Sequence, residues 1–334
     1  MTEPDVTDQT ARGIPLATWK LAAIRAWHGF VRHRGIDSAA ALTFFSLLAT
    51  FPVALTVVSA FAIGNGKKNA ADAILDIVGE VVQPETVETL RAPITELFSV
   101  TNPGIALAIG IALALWTVSG YATAFGRAVN SAYEVQEGRQ IWRFRGTMLL
   151  LAVFLLVLAS LIFVLLLTTQ RVATAIAHSA GIGEPWITVW SIGRWPVLLV
   201  LVTLVIAVLY YVTPNVRHER MRWATFGAGF VILVGIIATA GFALYVATVA
   251  QYDKIYGWLG GAIVLMLWSY VINLVLVLGA EVDAEAVRMR QLTAGIDATE
   301  TIQLPMRDTT RNLMLAGQLT DDVAAARGVL DEHR

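Results

Sequence analysis

The chain of 334 residues contains no cysteine. Disulfide bonds, thiolate metal sites and cysteine nucleophiles are therefore excluded together, because each of them requires a thiol. Charge is also scarce, since Asp, Glu, Lys and Arg make up only 15% of the residues against 57% hydrophobic residues. An ordinary soluble domain carries about 25% charged residues. The composition therefore favours a protein that is solvated largely by lipid.

Six stretches lack Asp, Glu, Lys and Arg altogether. They are 22 to 30 residues long and comprise residues 38–66, 97–126, 146–170, 195–216, 223–252 and 255–280. A transmembrane helix needs about 20 apolar residues to cross the hydrocarbon core. We therefore predict an all-α, polytopic membrane protein, with a bundle of six transmembrane helices near residues 38–64, 103–125, 146–170, 195–213, 223–250 and 257–281.

Basic residues set the expected orientation, since Lys and Arg in short connections favour the cytoplasmic side. The connection between the second and third spans contains Arg127, Arg139, Arg143 and Arg145. The long connection after the first span is mainly acidic. Both termini are therefore predicted to be cytoplasmic.

The segments that flank the spans divide the chain further. Residues 1–14 are predicted to be a disordered cytoplasmic N-terminus, residues 15–287 a membrane domain, and residues 288–334 a polar cytoplasmic tail, largely disordered with one short helix near Asp321–Leu330. Apolar and basic residues alternate at helical spacing over residues 16–34. This pattern predicts an amphipathic helix on the membrane surface, and a helix packed on the bundle is the alternative. Residues 67–98 are predicted to form an outer helical hairpin.

The first span carries three hydroxyl side chains, Thr43, Ser46 and Thr50, on one helix face, and Pro52 follows them. Proline removes a backbone hydrogen bond and bends a helix. One interpretation is a polar stripe that lines a cavity beside a hinge. In the other, the hydroxyls bond the carbonyls four residues earlier or a neighbouring helix.

The sixth span places Ser269 and Asn273 one turn apart. An amide at membrane depth needs hydrogen-bond partners, so Asn273 is expected to face protein or water rather than lipid. Lining of a substrate path and bonding between helices both remain open for it. Trp116 stands among small residues in the second span, where it either plugs a cavity or contacts an apolar ligand, and Trp268 has a comparable depth in the sixth span.

Small residues recur every four positions in the fifth span, at Gly235, Thr239, Ala243 and Ala247. Such a stripe lets two helices approach closely, within one chain or between two protomers. We interpret it as a packing surface, and a homo-oligomer stays open.

No pattern typical of a catalytic or cofactor site is found in the sequence. Proton-coupled transporters usually keep an ionisable side chain within the membrane, and the six stretches contain no acidic or basic residue. Glu281, Asp283 and Glu285 do not share one helix face, so a single helix cannot present all three to a metal. Glu281 and Glu285 are expected to pair with Arg288 or a basic inner loop. We therefore expect no enzyme activity, cofactor, metal or nucleic-acid partner.

Four motifs in order resemble the YihY/virulence factor BrkB family of bacterial inner-membrane proteins. They are AAALTFFSLLAT with Pro52, GYATAFGRAVNSAYEVQEGRQIWRFR, YYVTPNVRHERMRW and YGWLGGAIVLMLWSYVINLVLVLGAEVDAE. The resemblance implies a six-span, multi-pass protein of the bacterial inner membrane without an agreed substrate. The positions carried over as an inner-loop family motif are Arg127, Asn130, Tyr133, Arg143, Arg145, Pro214 and Glu281.

The resemblance implies function only broadly. Members have been labelled ribonuclease BN, for which this sequence offers no metal or acid–base constellation, and the family has been tied to serum resistance and envelope lipid export. Our leading hypothesis is a transporter or flippase-like handler of a lipid, an amphiphile or a small neutral solute, with membrane lipid as a partner. A non-transporting scaffold for envelope partners is the alternative, and a membrane-bound ribonuclease is the third.

Overall fold

The structure is a computed structural model that describes residues 16–65, 75, 91, 95, 102–167, 184–217, 226–248 and 260–333. The helices are α1 (Leu16–Arg32), α2 (Gly35–Asn65), α3 (Pro103–Ala132), α4 (Ile141–Leu167), α5 (Glu184–Val212), α6 (Phe226–Thr248), α7 (Gly260–Thr293) and α8 (Thr310–Glu332). Within these residues, β pairing is limited to an isolated bridge between Val216 and Met306. The all-α prediction is confirmed for the described part of the chain.

Helices α2 to α7 are each long and apolar enough to cross a membrane, which confirms the six predicted spans. Several of them continue past the predicted bounds, because a helix need not end at the membrane surface when its last turns pack on protein. Helix α7 runs on to Thr293, so Arg288 and Arg290 belong to the same helix as the apolar span. The predicted N-terminus and outer hairpin lie outside the described residues, apart from Leu75, Arg91 and Thr95.

The two ends of the bundle differ in packing. We call the end that carries α1 and α8 the terminal end and the opposite end the distal end. Helices α4, α5 and α6 bury residues mainly in the halves nearest the terminal end, as Met148, Leu209 and Val231 illustrate. Towards the distal end, the same helices are mostly exposed or half-buried. The core therefore lies at the terminal end, and the helices are less tightly covered towards the distal end.

Two glycine contacts bring pairs of spans close together. A Cβ added at Gly110 of α3 would lie 2.7 Å from Thr56 Oγ1 and 3.3 Å from the Pro52 carbonyl oxygen, so α3 passes directly beside the proline of α2. A Cβ added at Gly227 of α6 would lie 2.5 Å from the Gly279 carbonyl oxygen of α7. These positions let two backbones approach closely, as small residues do in membrane helices.

The packing prediction for the small residues of the fifth span is wrong at Gly235. A Cβ at this position would meet no atom within 4 Å, and Ala243 and Ala247 are exposed. The close contact lies two turns earlier, at Gly227, because α6 and α7 touch most tightly near the terminal end.

Helix α1 packs on the bundle, which is the alternative interpretation of its amphipathic pattern. Ala22, Ala26 and Phe30 are buried against the bundle. The other face exposes apolar side chains, including Trp27 at 57% and Val31 at 60%. One face is therefore packed on the spans, and contact of the second face with the membrane surface stays a prediction.

The tail differs from the expected disordered segment. Helix α8 covers Thr310–Glu332, and the residues before it lie against the chain that follows α5. The Arg217 backbone N–H donates to the Pro305 carbonyl at 2.8 Å, and the Arg307 N–H donates to the Asn215 carbonyl at 3.0 Å. Weak periodicity gave no indication of this docking, because the contacts are made largely by the backbone.

Candidate functional site

The most deeply buried amide in the spans joins three helices. Asn273 of α7 is only 3% exposed. Its Nδ2 donates to Thr43 Oγ1 of α2 at 3.2 Å, and its Oδ1 accepts from the Tyr121 hydroxyl of α3 at 3.0 Å. Thr43 in turn donates to the Ala39 carbonyl at 2.8 Å. Asn273 therefore faces protein, and its hydrogen bonds hold α2, α3 and α7 in register.

The remaining hydroxyls of the first span bond within their own helix. Ser46 donates to the Leu42 carbonyl at 2.9 Å, and Thr50 donates to the Ser46 carbonyl at 3.1 Å. Along the predicted stripe, Thr43 is buried, Ser46 is half-buried and Thr50 is exposed. The structure thus brings Thr43 together with Asn273 and leaves Thr50 on the bundle surface.

The other predicted positions at membrane depth occupy different surroundings. Pro52 is buried beside α3, and its carbonyl accepts from Thr56 Oγ1 at 2.8 Å. Ser269 is half-buried on α7. Trp116 is 66% exposed and lies on the outside of the bundle. The hydrogen bonds of the Asn273 side chain go to Thr43 and Tyr121 and not to Pro52, Ser269 or Trp116.

Trp268 borders an apolar groove between α6 and α7, in the half of the bundle nearest the distal end. The groove has a volume of about 480 Å³. Its lining residues are Phe242, Ala243, Val246 and Ala247 of α6 and Gly261, Val264, Leu265 and Trp268 of α7. The Trp268 indole N–H donates to Thr239 Oγ1 at 3.4 Å. The surface of the groove is therefore almost entirely hydrocarbon.

A buried carboxylate at the terminal end connects three spans. Asp283 Oδ2 accepts from the Tyr133 hydroxyl at 2.6 Å, and its Oδ1 accepts from the Gly227 N–H at 3.2 Å. Since α6 begins at Phe226, Asp283 satisfies a free N–H at the start of that helix, where negative charge is favourable. Burial, followed by the charge of Asp283, raises the pKa of Tyr133 well above its ordinary value. Tyr133 therefore stays a hydrogen-bond donor.

A chain of ion pairs ties α1 to the ends of α3 and α7. Arg25 Nε lies 3.0 Å from Glu285 Oε2, and Glu285 Oε1 lies 2.9 Å from Arg288 Nε. Arg288, which is 1% exposed, also reaches Glu134 Oε1 at 3.0 Å, and Glu134 pairs with Arg32 at 3.2 Å. Each of the two carboxylates thus lies between two guanidinium groups, so the buried charges face opposite charges, while Glu134 Oε2 is buried without a hydrogen-bond partner among the described residues.

The predicted partners of the acidic residues are partly correct. The Glu285–Arg288 pair is confirmed. Glu281 instead lies 2.9 Å from His33 Nδ1, while Arg143 and Arg145 are exposed. The reason is that α1 folds back on α7 and occupies the position expected for the inner loop.

Two arginines satisfy the carboxyl end of α5. Arg139 is paired with Glu137 at 2.7 Å and donates to the Val212 carbonyl at 3.4 Å. Arg307 of the tail donates to the Tyr211 carbonyl and, at 3.5 Å, to the Val212 carbonyl. The last carbonyls of a helix have no partner within it and attract cations. Burial, followed by the charge of Arg139, lowers the pKa of Arg307.

Two asparagines complete this end of the site. Asn130 Oδ1 accepts from the Asn215 N–H at 2.8 Å, and its Nδ2 donates to Glu137 Oε2 at 3.1 Å. Asn215 Nδ2 donates to the Asp308 carbonyl at 2.8 Å. Pro214 is fully buried beside them. The segment after α5 is thus held between the end of α3 and the tail.

The inner-loop motif divides into two groups. Asn130, Tyr133, Pro214 and Glu281 are buried, whereas the motif arginines Arg127, Arg143 and Arg145 are exposed. Sequence reasoning missed the roles of Asp283, Arg139, Asn215 and Arg307. The sequence did contain one indication for Asp283, because this residue lies on the uninterrupted continuation of an apolar helix.

The arrangement at the terminal end fits a structural role for its carboxylates. Glu281, Asp283 and Glu285 each bond a different partner. Among the described residues, no group of three His, Cys, Asp or Glu side chains is placed to hold a metal ion.

Comparison with known proteins agrees with the motifs. The sequence profile of a family described as Virulence factor BrkB matches residues 26–301. The chain is 29% identical to the "Putative ribonuclease-like protein YfkH" of Bacillus subtilis (strain 168), over 76% of this chain and 91% of that protein. It is 26% identical to a UPF0761 membrane protein of Laribacter hongkongensis, over 77% of this chain and 59% of that protein.

A shorter alignment has a higher sequence identity. The chain is 42% identical over 79 residues to a UPF0761 membrane protein of Tolumonas auensis, which is 24% of this chain and 26% of that protein. The chain thus spans less than two thirds of the length of these two UPF0761 relatives. No solved structure matches it.

Proposed function

We propose that this chain, which belongs to the Virulence factor BrkB family, binds a lipid or similar amphiphile in the groove between α6 and α7 and moves it between membrane leaflets. Its place as an integral membrane protein follows from the family and from the six spans. The observation that carries the proposal is the groove itself. Hydrocarbon lining at membrane depth suits an acyl chain better than an ion or a sugar.

The shape of the groove supports an apolar occupant. The groove is open along the side of the bundle, has a volume of about 480 Å³ and is lined by apolar side chains. Leu265 is 40% exposed at its border, so a chain can enter from the side of the bundle. The one polar donor of its lining, the Trp268 indole, is directed to Thr239.

The polar groups elsewhere in the spans support the same substrate class. Asn273, Thr43 and Tyr121 bond one another, and a hydrated path would require such groups to face water. The position of an apolar groove away from this contact favours a substrate that travels along the outside of the bundle with its acyl chains in lipid.

The first experiment tests the binding site with a phospholipid that carries a photoreactive group on its acyl chain. We expect labelling of α6 and α7 in the purified protein, and we expect Ala243→Trp with Ala247→Trp to reduce it towards background by filling the groove. Ala240→Trp is the matched control, because Ala240 is exposed on the same helix without lining the groove. Equal labelling of all three proteins would refute the site.

The second experiment tests movement with a fluorescent phospholipid in sealed liposomes. The wild type and Ala240→Trp should both accelerate its transfer between leaflets, and the filled-groove variant should not. If liposomes with and without the protein transfer lipid at the same rate in several lipid compositions, the transport function is wrong.

A non-transporting scaffold is the second candidate, and the exposed helix α8 is the observation that favours it. None of the side chains of α8 is buried, as a docking element requires. If the protein transfers no lipid and a partner protein still binds to α8, the scaffold is favoured. The ribonuclease-like name belongs to the Bacillus relative, and the function proposed here includes no chemical step.

A further inference from the structure

Helix α8 is fixed at its first turn and exposed along the rest of its length. The Arg311 N–H donates to the Gly138 carbonyl at 2.8 Å, and the Asp308 carboxylate accepts from the Thr310 N–H at 2.9 Å. Beyond this anchor the helix touches no other element closely enough to bury a residue. An exposed helix of this length gains little stability alone, since most helical stability comes from packing of one face.

The helix has an apolar stripe with the spacing of a coiled coil. Alternating steps of three and four residues separate Ala316, Leu319, Val323, Ala326 and Leu330. These are the a and d positions of successive heptads, which face the partner helix in a two-stranded coiled coil. Leu319 is 64% exposed and Leu330 is 53% exposed, so the stripe is uncovered.

The charges of α8 indicate which partner fits this stripe. Asp322 and Arg327 flank it on opposite sides, at the g position of one heptad and the e position of the next. In a parallel pair these positions face each other, so two copies would form two Asp322–Arg327 pairs. Four acidic residues against two basic ones in α8 disfavour an anionic lipid surface.

Two copies in one membrane would also present their helices in the required direction. Helix α8 starts at the terminal end of the bundle, and every copy in the membrane has this end on the same side. The two helices would therefore start at the same level and run parallel. We infer that α8 pairs with α8 of a second copy of this chain in a parallel two-stranded coiled coil, independently of the lipid groove.

Cysteine cross-linking tests the pairing directly, because the natural chain contains no cysteine. In the full-length protein in native membranes, Val323→Cys at an a position should form a disulfide-linked dimer under mild oxidation. Asp321→Cys, on the opposite face of the same turn, is the matched control and should remain monomeric. Failure of Val323→Cys to cross-link, or equal cross-linking of both variants, would overturn the inference.

Charge reversal tests the pairing in detergent solution by sedimentation. Asp322→Arg should raise the dimer dissociation constant, because it places like charges opposite each other. Adding Arg327→Asp should return the constant to the wild-type value. Leu319→Asp should raise the constant by roughly tenfold or more, since a charge then lies in the seam. Gln318→Asp is the control on the outer face. A dimer that Leu319→Asp leaves intact forms elsewhere, and this result also overturns the inference.

Discussion

Single buried polar side chains connect the helices of this protein. Asn273 joins α2, α3 and α7, and Asp283 joins α3, α6 and α7. In apolar surroundings a polar group without a partner is costly, so each of these side chains restricts the helices to the arrangement that satisfies it. The hydrophobic residues around them specify burial, but the polar residues specify register.

The first residue-scale prediction concerns Asn273. Replacement by Leu, which has a similar volume, removes its hydrogen bonds to Thr43 and Tyr121. We expect the free energy of unfolding to fall by about 1 kcal/mol, the size of such bonds between membrane helices. Titration with SDS in mixed micelles measures this free energy. Ser269→Ala, one turn away, should lower the free energy of unfolding less. Equal effects of the two substitutions would contradict the role of Asn273.

The second prediction concerns the hydrogen bond from Tyr133 to Asp283. Tyr133→Phe should lower the free energy of unfolding by about 2 kcal/mol, because a buried carboxylate loses a donor. The difference in unfolding free energy between wild type and variant should be constant below about pH 10, the ordinary pKa of tyrosine. Because the folded state raises the pKa of Tyr133, higher pH removes the proton first from the unfolded chain and favours unfolding.

The measurement is the unfolding free energy of both proteins between pH 7 and about pH 11. The wild type should lose its advantage only at the alkaline end of this range. An advantage that disappears already near neutral pH would show that Tyr133 does not supply it.

At the scale of helices, the ends and crossing points determine the architecture. Helix α5 ends among the guanidinium groups of Arg139 and Arg307, and α6 begins at the carboxylate of Asp283. Both contacts place charge where the helix dipole favours it. Between these ends, α6 and α7 approach closely at Gly227 and Gly279 and leave a groove beyond.

The prediction for this scale compares two glycines of α6. Gly227→Ala places a methyl group 2.5 Å from the Gly279 carbonyl oxygen, so the helices must separate, and the free energy of unfolding should fall by about 1–3 kcal/mol. Gly235→Ala meets no atom within 4 Å and should be neutral or slightly stabilising, because alanine favours helix. SDS titration measures both variants, and equal effects would place the tight contact elsewhere.

At the scale of the molecule, packing is uneven between the two ends. The terminal end contains the buried ion pairs, α1 and the docked tail, whereas the groove lies towards the distal end. The groove therefore lies in the less covered half of the bundle, away from the buried ion pairs. This arrangement accommodates the proposed lipid handling.

The prediction for the whole molecule is its orientation in the membrane. Thr248→Cys lies at the distal end and Gln318→Cys in α8, and both positions are exposed. The charge rule predicts a cytoplasmic tail, so a membrane-impermeant maleimide should label Thr248→Cys in intact spheroplasts and Gln318→Cys only after lysis. The reverse pattern would show that the orientation is inverted.

The sequence by itself determined six spans, their order and the family, because length and lack of charge are local properties that hydrocarbon selects directly. Tertiary structure decided which polar residues meet. His33 and Glu281 lie far apart in the chain, yet their side chains are 2.9 Å apart, and Ala243 and Ala247 of α6 line a groove rather than a tight contact. Such pairings depend on how each helix is rotated and where it crosses its neighbours. A largely apolar helix surface specifies neither, so the few polar groups of each span decide both when they find partners.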